Sequence, residues 1–240
     1  MNEELLSSIE LPSGEARRHP GRHEVVEAVL VRDGARVPVV VKKVPIDLRQ
    51  RLLGVTRGAR SLRTAEALLA TGIDTPEPVA EGAVGEASWY VARLLPGAVQ
   101  VRAWFRHRYE PGLPSPPGFA SFEEVAAELG RLARRMHDGG IHFRDLTDGN
   151  VLVTEEGGRP RLWLVDLDRA RVGAGPLGWW SRMRDLSRPG INARGDRKLL
   201  LTSYFGGETG VSGALVAVTL LRGRIRLWDE LKRRLRPWRS

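Results

Sequence analysis

The sequence contains no cysteine, so disulfide bonds and thiolate metal sites are excluded from this chain. Its longest nearly unbroken apolar run, at residues 214–221, is much shorter than the ~20 residues that a membrane-spanning helix needs. The first ten residues, MNEELLSSIE, carry acidic side chains and no long apolar stretch, which argues against a secretory signal. These absences favour a soluble cytoplasmic protein.

Acidic residues are also scarce relative to basic ones, 29 against 38, which gives a formal net charge of +9. A surplus of this sign favours phosphorylated ligands, nucleic acid or an anionic membrane face. No strand interleaves basic and aromatic residues, so we expect no nucleic-acid partner. Residues 221–240 contain only Asp229 and Glu230 as acids beside eight basic residues: Arg222, Arg224, Arg226, Lys232, Arg233, Arg234, Arg236 and Arg239. A solvated helix face and a dedicated binding surface both remain open for this tail.

The first third of the chain has the character of a β-sheet. Residues 24–31 (EVVEAVLV) and 37–44 (VPVVVKKV) are rich in valine, and the intervening RDGAR is typical of a hairpin. Residues 61–71 place leucine and alanine at helical spacing and are followed by glycine, so they predict a helix. A further strand is expected at residues 87–95, before a Pro-Gly pair.

The rest of the chain predicts one helix, a hairpin and then mainly helices. Ser121 and Glu124 have capping-box spacing at the start of a helix that ends near residues 138–140. Short apolar runs at 151–153 and 162–165 flank EEGGRP, which predicts a β-hairpin. Further helices are expected around residues 178–186, 196–204 and from 215 onward.

This order of elements predicts an α+β fold of two unequal lobes. Residues 1–95 would form a small β-rich lobe with one main helix. Residues 96–240 would form a larger, mainly helical lobe that includes a basic amphipathic tail at 214–240. With 42% apolar and 28% charged residues, the composition is that of a globular protein.

A lysine near the end of a strand is the first feature that suggests chemistry. VVVKK at 39–43 resembles the V-A-I-K strand of protein kinases, whose lysine binds nucleotide phosphates. Lys42 and Lys43 lie on opposite faces of a strand, and the three valines before Lys42 favour it for this role. Glu66, on the next helix, could pair with the lysine and hold it extended, or could simply favour the helix.

A second feature is the stretch HFRDLTDGNVLV at 142–153, which resembles the kinase catalytic loop H-R-D-L-x-x-x-N. Asp145 would accept or orient the proton of the attacking hydroxyl, and Asn150 would bind a metal ion. The preceding helix and the following hairpin are the context that this role needs. The alternative is that Asp148-Gly149-Asn150 forms an ordinary turn.

The third feature is LVDLDRAR at 164–171, where Asp166 follows a buried strand directly. A carboxylate in this position is a natural ligand for Mg²⁺. Asp168 adds a second carboxylate, which could contribute to the metal site but is favoured to pair with Arg169 or Arg171. Taken in this order, these features predict a bilobal, protein-kinase-like fold, with residues 1–95 as the nucleotide-binding lobe and residues 96–240 as the catalytic lobe. They also predict a phosphotransferase that uses ATP and Mg²⁺.

The chain resembles the bacterial lipopolysaccharide kinase (Kdo/WaaP) family, relatives of protein kinases, over roughly residues 25–205. The similarity rests on ARSLRTAEALLATGIDTPEPVA, RLLPGA, FRDLTDGNVLV, LVDLDRAR and DRKLLLTSYF. The resemblance implies transfer of the γ-phosphate of ATP to a sugar hydroxyl, on Kdo or heptose, of the lipopolysaccharide inner core. It also implies a membrane-anchored glycolipid acceptor and a cytoplasmic location at the inner face of the inner membrane.

Two departures from the kinase pattern keep other functions open. Phe143 stands where kinases have the loop histidine, and no G-x-G-x-x-G occurs in the first strands, where Gly14 and Gly21 are the nearest glycines. One alternative is a kinase for a protein or small-molecule hydroxyl. Another is a pseudokinase that binds nucleotide without turnover.

The tail admits two interpretations. Its apolar residues recur every three or four positions, with arginines on the other face, as in a helix that lies in a membrane interface. Alternatively, the same residues pack on the larger lobe. They are Leu221, Ile225, Trp228, Leu231, Leu235 and Trp238.

Overall fold

The computed structural model describes residues 8–10, 24–32 and 34–235, with side chains for all of these except residues 49, 53, 229 and 232–235. Gly14, Gly21 and Trp238 lie outside the described residues. The described chain falls into two compact units. The first comprises the residues up to Ala98 together with Trp163–Ala170, and the second comprises Val99–Leu162 and the residues from Arg171 onward.

The first unit is built on a five-stranded antiparallel sheet with the strand order β1-β2-β3-β5-β4. Valines of β3 and β5 are buried in the core, Val39 and Val91 completely. Because side chains alternate along a strand, Lys42 takes the opposite face of β3 from Val41 and Lys43. The elements are β1 (Ile9–Glu10), β2 (Glu24–Arg32), β3 (Ala35–Pro45), α1 (Leu48–Leu53), α2 (Arg57–Ala70), β4 (Pro78–Val84), β5 (Ala87–Arg93) and a 3₁₀ helix (Leu167–Arg169).

Helix α2 begins at Arg57, earlier than the sequence predicts. Thr56 caps it, since its side-chain oxygen accepts a hydrogen bond of 3.1 Å from the amide of Ala59. The second residue of the helix is Gly58, where an added Cβ would collide with the backbone carbonyl of Trp89 on β5. The absent side chain therefore lets the first turn of α2 pack directly on the sheet.

The second unit is mainly helical. A short sheet has the strand order β6-β8-β9, and β10 pairs with β7 in an antiparallel ribbon. The elements are β6 (Val99–Gln100), α3 (Arg102–Tyr109), α4 (Phe122–Asp138), β7 (Ile141–His142), β8 (Val151–Glu156), β9 (Arg159–Leu164, whose last two residues belong to the first unit), β10 (Arg171–Val172), α5 (Trp179–Leu186), α6 (Arg194–Phe205) and α7 (Val211–Leu235).

Helix α4 is the central helix of this unit. The predicted capping box is present: the amide of Glu124 donates to Ser121 Oγ at 3.2 Å, and the amide of Ser121 donates to Glu124 Oε2 at 2.7 Å. Its apolar face is buried at positions such as Leu129 and Met136. Gly130 lets α4 approach α6 closely, because a Cβ there would meet the backbone of Leu200 and Tyr204.

The division into units differs from the predicted lobes at two segments that the sequence placed in the second lobe and that belong to the first unit. One is residues 96–98, at the predicted boundary, and the other is Trp163–Ala170. Hydrogen bonds to the loop after α2 hold it there: the amide of Leu164 donates to the carbonyl of Asp74 at 2.9 Å, and Thr75 Oγ1 donates to the carbonyl of Leu164 at 2.7 Å. The sequence did not indicate α1, which has six residues, or α3, which has eight.

The apolar side chains of helix α7 that are buried lie near its beginning. Val211, Ala214 and Val218 are buried, whereas Val216, Leu220, Leu227, Trp228 and Leu231 are between 41% and 69% exposed. No helix in the described part of the chain is both long and apolar enough to cross a membrane.

Candidate active-site residues

Lys42 and Asp166 are in contact within the first unit. The ammonium group of Lys42, whose side chain is 13% exposed, donates to the carboxylate of Asp166, which is 38% exposed. Lys43, on the other face of β3, instead lies 3.9 Å from Glu24 and over the ring of Trp89. Of the two adjacent lysines, Lys42 is therefore the one that meets the aspartate after β9.

Asp166 has an unusual backbone conformation. Its φ of 62° and ψ of 55° place it in the left-handed region, which few residues other than glycine adopt. Short polar residues such as aspartate tolerate this region better than most. The turn ends β9 and starts the 3₁₀ helix, so the carboxylate of Asp166 emerges at a sharp change in chain direction.

Asp168 is the buried member of the D-L-D segment. Its carboxylate oxygen Oδ2 lies 3.9 Å from Lys42 Nζ and 3.8 Å from Arg57 Nη1, and its side chain is only 5% exposed. The carbonyl oxygen of Asp168 also accepts a hydrogen bond of 3.3 Å from Arg60. The sequence pointed to Arg169 or Arg171 as partners, but Lys42 and Arg57 are the cations found at this carboxylate.

Glu66 does not form the ion pair that the sequence suggested. It is exposed on α2, and the carboxylates near Lys42 among the described residues are those of Asp166 and Asp168. Of the two alternatives for Glu66, the ion pair with Lys42 is therefore not formed in this structure. A nucleotide-binding role for Glu66 remains a prediction.

In the second unit, the loop from Asp145 to Asn150 is held by its own backbone and one side chain. The carbonyl oxygen of Asp145 accepts from the amide of Thr147 at 2.7 Å and from Asn150 Nδ2 at 2.9 Å. The amide of Asn150 closes a turn on the carbonyl of Thr147 at 3.0 Å. The turn that was the alternative reading of Asp148–Asn150 is therefore present, and it fixes Asn150 against Asp145.

Asp185 of α5 anchors this loop, and the sequence analysis missed it. Its fully buried carboxylate accepts hydrogen bonds of 2.8 Å from the amides of both Phe143 and Arg144. A buried carboxylate is costly without such partners, so it fixes the two residues before Asp145. No signal in the sequence indicates this role, because one aspartate in a short helix does not show which distant amides it meets.

Two histidines lie beside the same carboxylate. The Nε2 atoms of His137 and His142 are each 3.5 Å from an oxygen of Asp185. Burial lowers the pKa of His142; the negative charge of Asp185 opposes this shift, while Arg144 and Arg184 add to it. Phe143, which occupies the kinase histidine position, is 1% exposed and contributes to the core.

The side chain of an arginine lies near the candidate catalytic aspartate. Arg188 Nη2 lies 3.7 Å from Asp145 Oδ1, and the same guanidinium group donates to the carbonyl of Arg144 at 3.4 Å. Arg184, next to Asp185 on α5, is exposed. Arg144 has a positive φ of 69°. We refer to Arg144, Arg184 and Arg188 as the arginine cluster.

The residues present match the ligand chemistry of Mg²⁺ with a nucleotide. Within the described parts of the chain, no group of three or more His, Asp or Glu side chains could hold a metal ion alone. Mg²⁺ usually binds one or two carboxylates and takes its other oxygens from phosphates and water. In the first unit, the partly exposed carboxylate of Asp166 suits this requirement. In the second unit, no described residue donates to the amide oxygen of Asn150, which is an oxygen of the kind that Mg²⁺ binds.

Comparison with solved structures defines the class of protein. A structure of WaaP in complex with acyl carrier protein matches with a TM-score of 0.61 at 20% identity, over 95% of this chain and 90% of that chain. The mixed α/β architecture is therefore the protein-kinase-like fold that the sequence predicts.

Sequence comparison then identifies the family. The model of the Lipopolysaccharide kinase (Kdo/WaaP) family matches residues 15–188, and the chain belongs to this family. A 3-deoxy-D-manno-octulosonic acid kinase from Vibrio parahaemolyticus is 26% identical over 120 residues, 48% of this chain and 44% of that protein. One from Actinobacillus succinogenes is 30% identical over 92 residues, 34% of this chain and 38% of that protein. Each of these two matches thus spans less than half the length of the relative.

Proposed function

We propose that this protein is a kinase that transfers the γ-phosphate of ATP to a sugar hydroxyl of the lipopolysaccharide inner core. Family membership supports the reaction class, and both curated relatives are named as sugar-acid kinases. The observation that carries the proposal is the anchored loop, in which Asp145 follows two backbone amides fixed by the buried Asp185. A loop of this kind holds a catalytic carboxylate in one geometry.

In this proposal each residue has one task. Asp145 accepts the proton of the sugar hydroxyl as its oxygen bonds to the γ-phosphorus and the bond to ADP breaks. Lys42 binds phosphate oxygens, and Glu66 remains a candidate for the same nucleotide site. Asp166 and Asn150 hold Mg²⁺, which supplies positive charge to the phosphates when bound.

The experiment is phosphate transfer from ATP to purified core lipopolysaccharide, measured with Asp145→Asn and Asp166→Ala beside the wild type. Asp145→Asn should lose at least about 10²-fold in kcat and keep its affinity for nucleotide, because it removes the proton acceptor alone. Asp166→Ala should lose metal-dependent nucleotide binding. If the wild type transfers phosphate to a protein or small-molecule hydroxyl instead, the proposed acceptor is wrong. Nucleotide binding without any transfer would indicate a pseudokinase.

We further propose that the acceptor is the sugar acid Kdo rather than a neutral heptose. The arginine cluster supports this choice, since its member Arg188 lies 3.7 Å from Asp145 and guanidinium groups bind carboxylates in bidentate geometry. Both relatives also act by name on an octulosonic acid. Arg184 is exposed, so it is accessible to such a group.

The acceptor choice is tested with two truncated core glycolipids, one ending in Kdo and one in which heptose is the outermost sugar. Phosphate on Kdo, with KM for that acceptor raised about tenfold in Arg184→Gln, is the expected result. Phosphate on heptose, unaffected by Arg184→Gln, would assign the other sugar. Arg131→Gln, a surface change on α4, is the matched control.

The proposed location is the cytoplasmic face of the inner membrane, where a membrane-anchored glycolipid would be met. The exposed apolar residues of α7 and the basic residues among positions 221–240 support peripheral contact with anionic lipid. Each basic residue near such a surface contributes about 1 kcal/mol. Anionic lipid is thus the proposed partner of the tail, and nucleic acid is not.

A further inference from the structure

We propose that Asp168 and Arg57 position Lys42, the task that a helix glutamate has in protein kinases and that the sequence suggested for Glu66. The inference rests on the proposed nucleotide-binding role of Lys42. It assigns a function to the second aspartate of D-L-D, which no comparison with known proteins assigns. All of the residues involved lie in the first unit.

The burial of Asp168 gives the first reason. Its carboxylate has 5% exposure, and two cations lie within 4 Å of it, Lys42 at 3.9 Å and Arg57 at 3.8 Å. Ionised carboxylates are tolerated in such surroundings only when paired. Asp168 therefore fixes both cations, and a small pocket lined by Lys42, Arg57, Ser61 and Asp168 lies at their meeting point.

The attachment of α2 gives the second reason. Arg57 contacts the carboxylate of Asp168, and Arg60, one turn later on the same helix face, donates to its carbonyl at 3.3 Å. The close approach at Gly58 fixes the same turn against β5. The first turn of α2 is thus attached both to the sheet that carries Lys42 and to the segment that carries Asp166.

The position of Glu66 gives the third reason. Glu66 lies nine residues after Arg57, which is about 13 Å further along the helix axis. Arg57, Gly58 and Ser61 are the residues of α2 that line the pocket, and Glu66 lies five residues after the last of them. Glu66 is exposed, whereas the carboxylate of Asp168 lies within 4 Å of Lys42.

The two aspartates then have separate tasks. Asp166 is partly exposed and contacts Lys42 directly, whereas Asp168 is buried against the same ammonium group. Lys42 keeps a carboxylate partner when Asp166 binds another group. The helix contact through Arg57 fixes Asp168 from the opposite side, as a helix glutamate would fix the lysine directly.

The test compares Asp168→Asn, Arg57→Met, the competing change Glu66→Gln and a control, Arg63→Gln, at an exposed position of α2. All are made in the full chain, affinity for Mg-ATP is measured by direct binding without acceptor, and folding is checked by thermal melting. We expect Asp168→Asn and Arg57→Met each to weaken binding about tenfold, more than Glu66→Gln does, and Arg63→Gln to leave it unchanged. The double variant Asp168→Asn, Arg57→Met should bind no worse than Asp168→Asn, because both changes disrupt one contact network.

A second measurement does not depend on nucleotide. The rate at which a small amine-reactive reagent acylates Lys42, followed by mass spectrometry, should rise in Asp168→Asn and Arg57→Met but not in Glu66→Gln. Arg57→Lys keeps the charge and should restore protection, which covers the case in which Asp168→Asn does not fold. Faster labelling in Glu66→Gln alone, or equal labelling in all variants, would overturn the proposal. If the wild type does not bind ATP, the proposed function fails while the labelling result still decides the role of Asp168.

Discussion

At the scale of single residues, backbone strain coincides with the candidate chemistry. Arg144 and Asp166 are the residues other than glycine with positive φ in the described chain. Arg144 precedes Asp145, and Asp166 is the proposed metal ligand. Strained conformations persist only where their surroundings enforce them. Asp185 enforces the first by accepting the amides of Phe143 and Arg144.

Asp185→Asn should release this strain and cost both activity and stability. A neutral amide accepts the two backbone donors more weakly, and its own NH₂ group would face a donor, so we expect a loss of about 2–4 kcal/mol in the free energy of unfolding. The value of kcat should fall more than affinity for ATP, because the loop carries Asp145. Chemical denaturation and steady-state kinetics measure the two effects.

Asp138→Asn on α4 is the control for that substitution, since Asp138 is an ion-paired aspartate with a 44% exposed side chain. Its effect should be below about 1 kcal/mol. Equal losses in the two variants would mean that Asp185 has no special role in anchoring the loop.

His142 gives a pH-dependent prediction. Burial lowers its pKa below the usual 6.5, so the unfolded chain binds its proton more readily than the folded one. Its contribution to stability is fully present above about pH 6.5 and is lost as the pH falls toward the lower, folded-state pKa. His142→Gln should therefore flatten the dependence of Tm on pH between about 5 and 7. An unchanged slope would show that His142 is not the titrating group.

At the scale of elements, two glycines in helices illustrate why local sequence alone does not set stability. Gly130 of α4 meets the backbone of Leu200 and Tyr204 of α6, whereas Gly213 of α7 has open space where a Cβ would lie. Helix propensity treats both as weak points. Tertiary packing gives the two glycines different effects on stability, because only Gly130 permits a close contact between helices.

Gly130→Ala should therefore destabilise the protein, by about 1–3 kcal/mol as for other overpacked positions. Gly213→Ala should stabilise it by up to about 1 kcal/mol, through helix propensity alone. Denaturant midpoints at a constant m-value measure both changes. A stabilising Gly130→Ala would mean that α4 and α6 can separate without loss.

At the scale of the whole molecule, the tail combines an excess of basic residues with exposed apolar surface. The beginning of α7 is held by Val211, Ala214 and Val218, and Arg222 donates to the carbonyl of Pro189. Beyond this point Leu227 and Leu231 remain 63% and 41% exposed. The structure thus supports packing for the first part of the helix and leaves the second part without apolar cover among the described residues.

Removing residues 227–240 should reduce binding to anionic liposomes while keeping the contacts of Arg222. The double change Leu227→Gln, Leu231→Gln should weaken binding in the same direction without altering charge. Co-sedimentation with vesicles of anionic and of zwitterionic lipid measures both variants. If both variants bind anionic vesicles as the wild type does, the exposed apolar face of α7 is not a membrane-binding surface.

Much of this fold could be predicted from local pattern. The valine strands, the capping box at Ser121 and the hairpin before Asp166 depend on residues that are close in sequence, so the sequence alone predicts them. Motif order identified the kinase-like class and the family. The misplaced segment Trp163–Ala170 and the unpredicted α1 and α3 lacked such signals, because a short element takes its stability from distant contacts rather than from propensity.

The sequence by itself determined strands β2, β3, β5, β8 and β9, the longer helices, the kinase-like class, the family and the candidates Lys42, Asp145, Asn150 and Asp166. Only the tertiary structure decided which carboxylate meets Lys42 and which one anchors the loop before Asp145. Asp168 and Asp185 are separated from their partners by many residues, and Glu66 looked as plausible as either on spacing alone. Local sequence sets the hydrophobic periodicity of a helix or strand. The free-energy cost of an unpaired buried charge, which selects the partner of a carboxylate, arises only when the chain has folded.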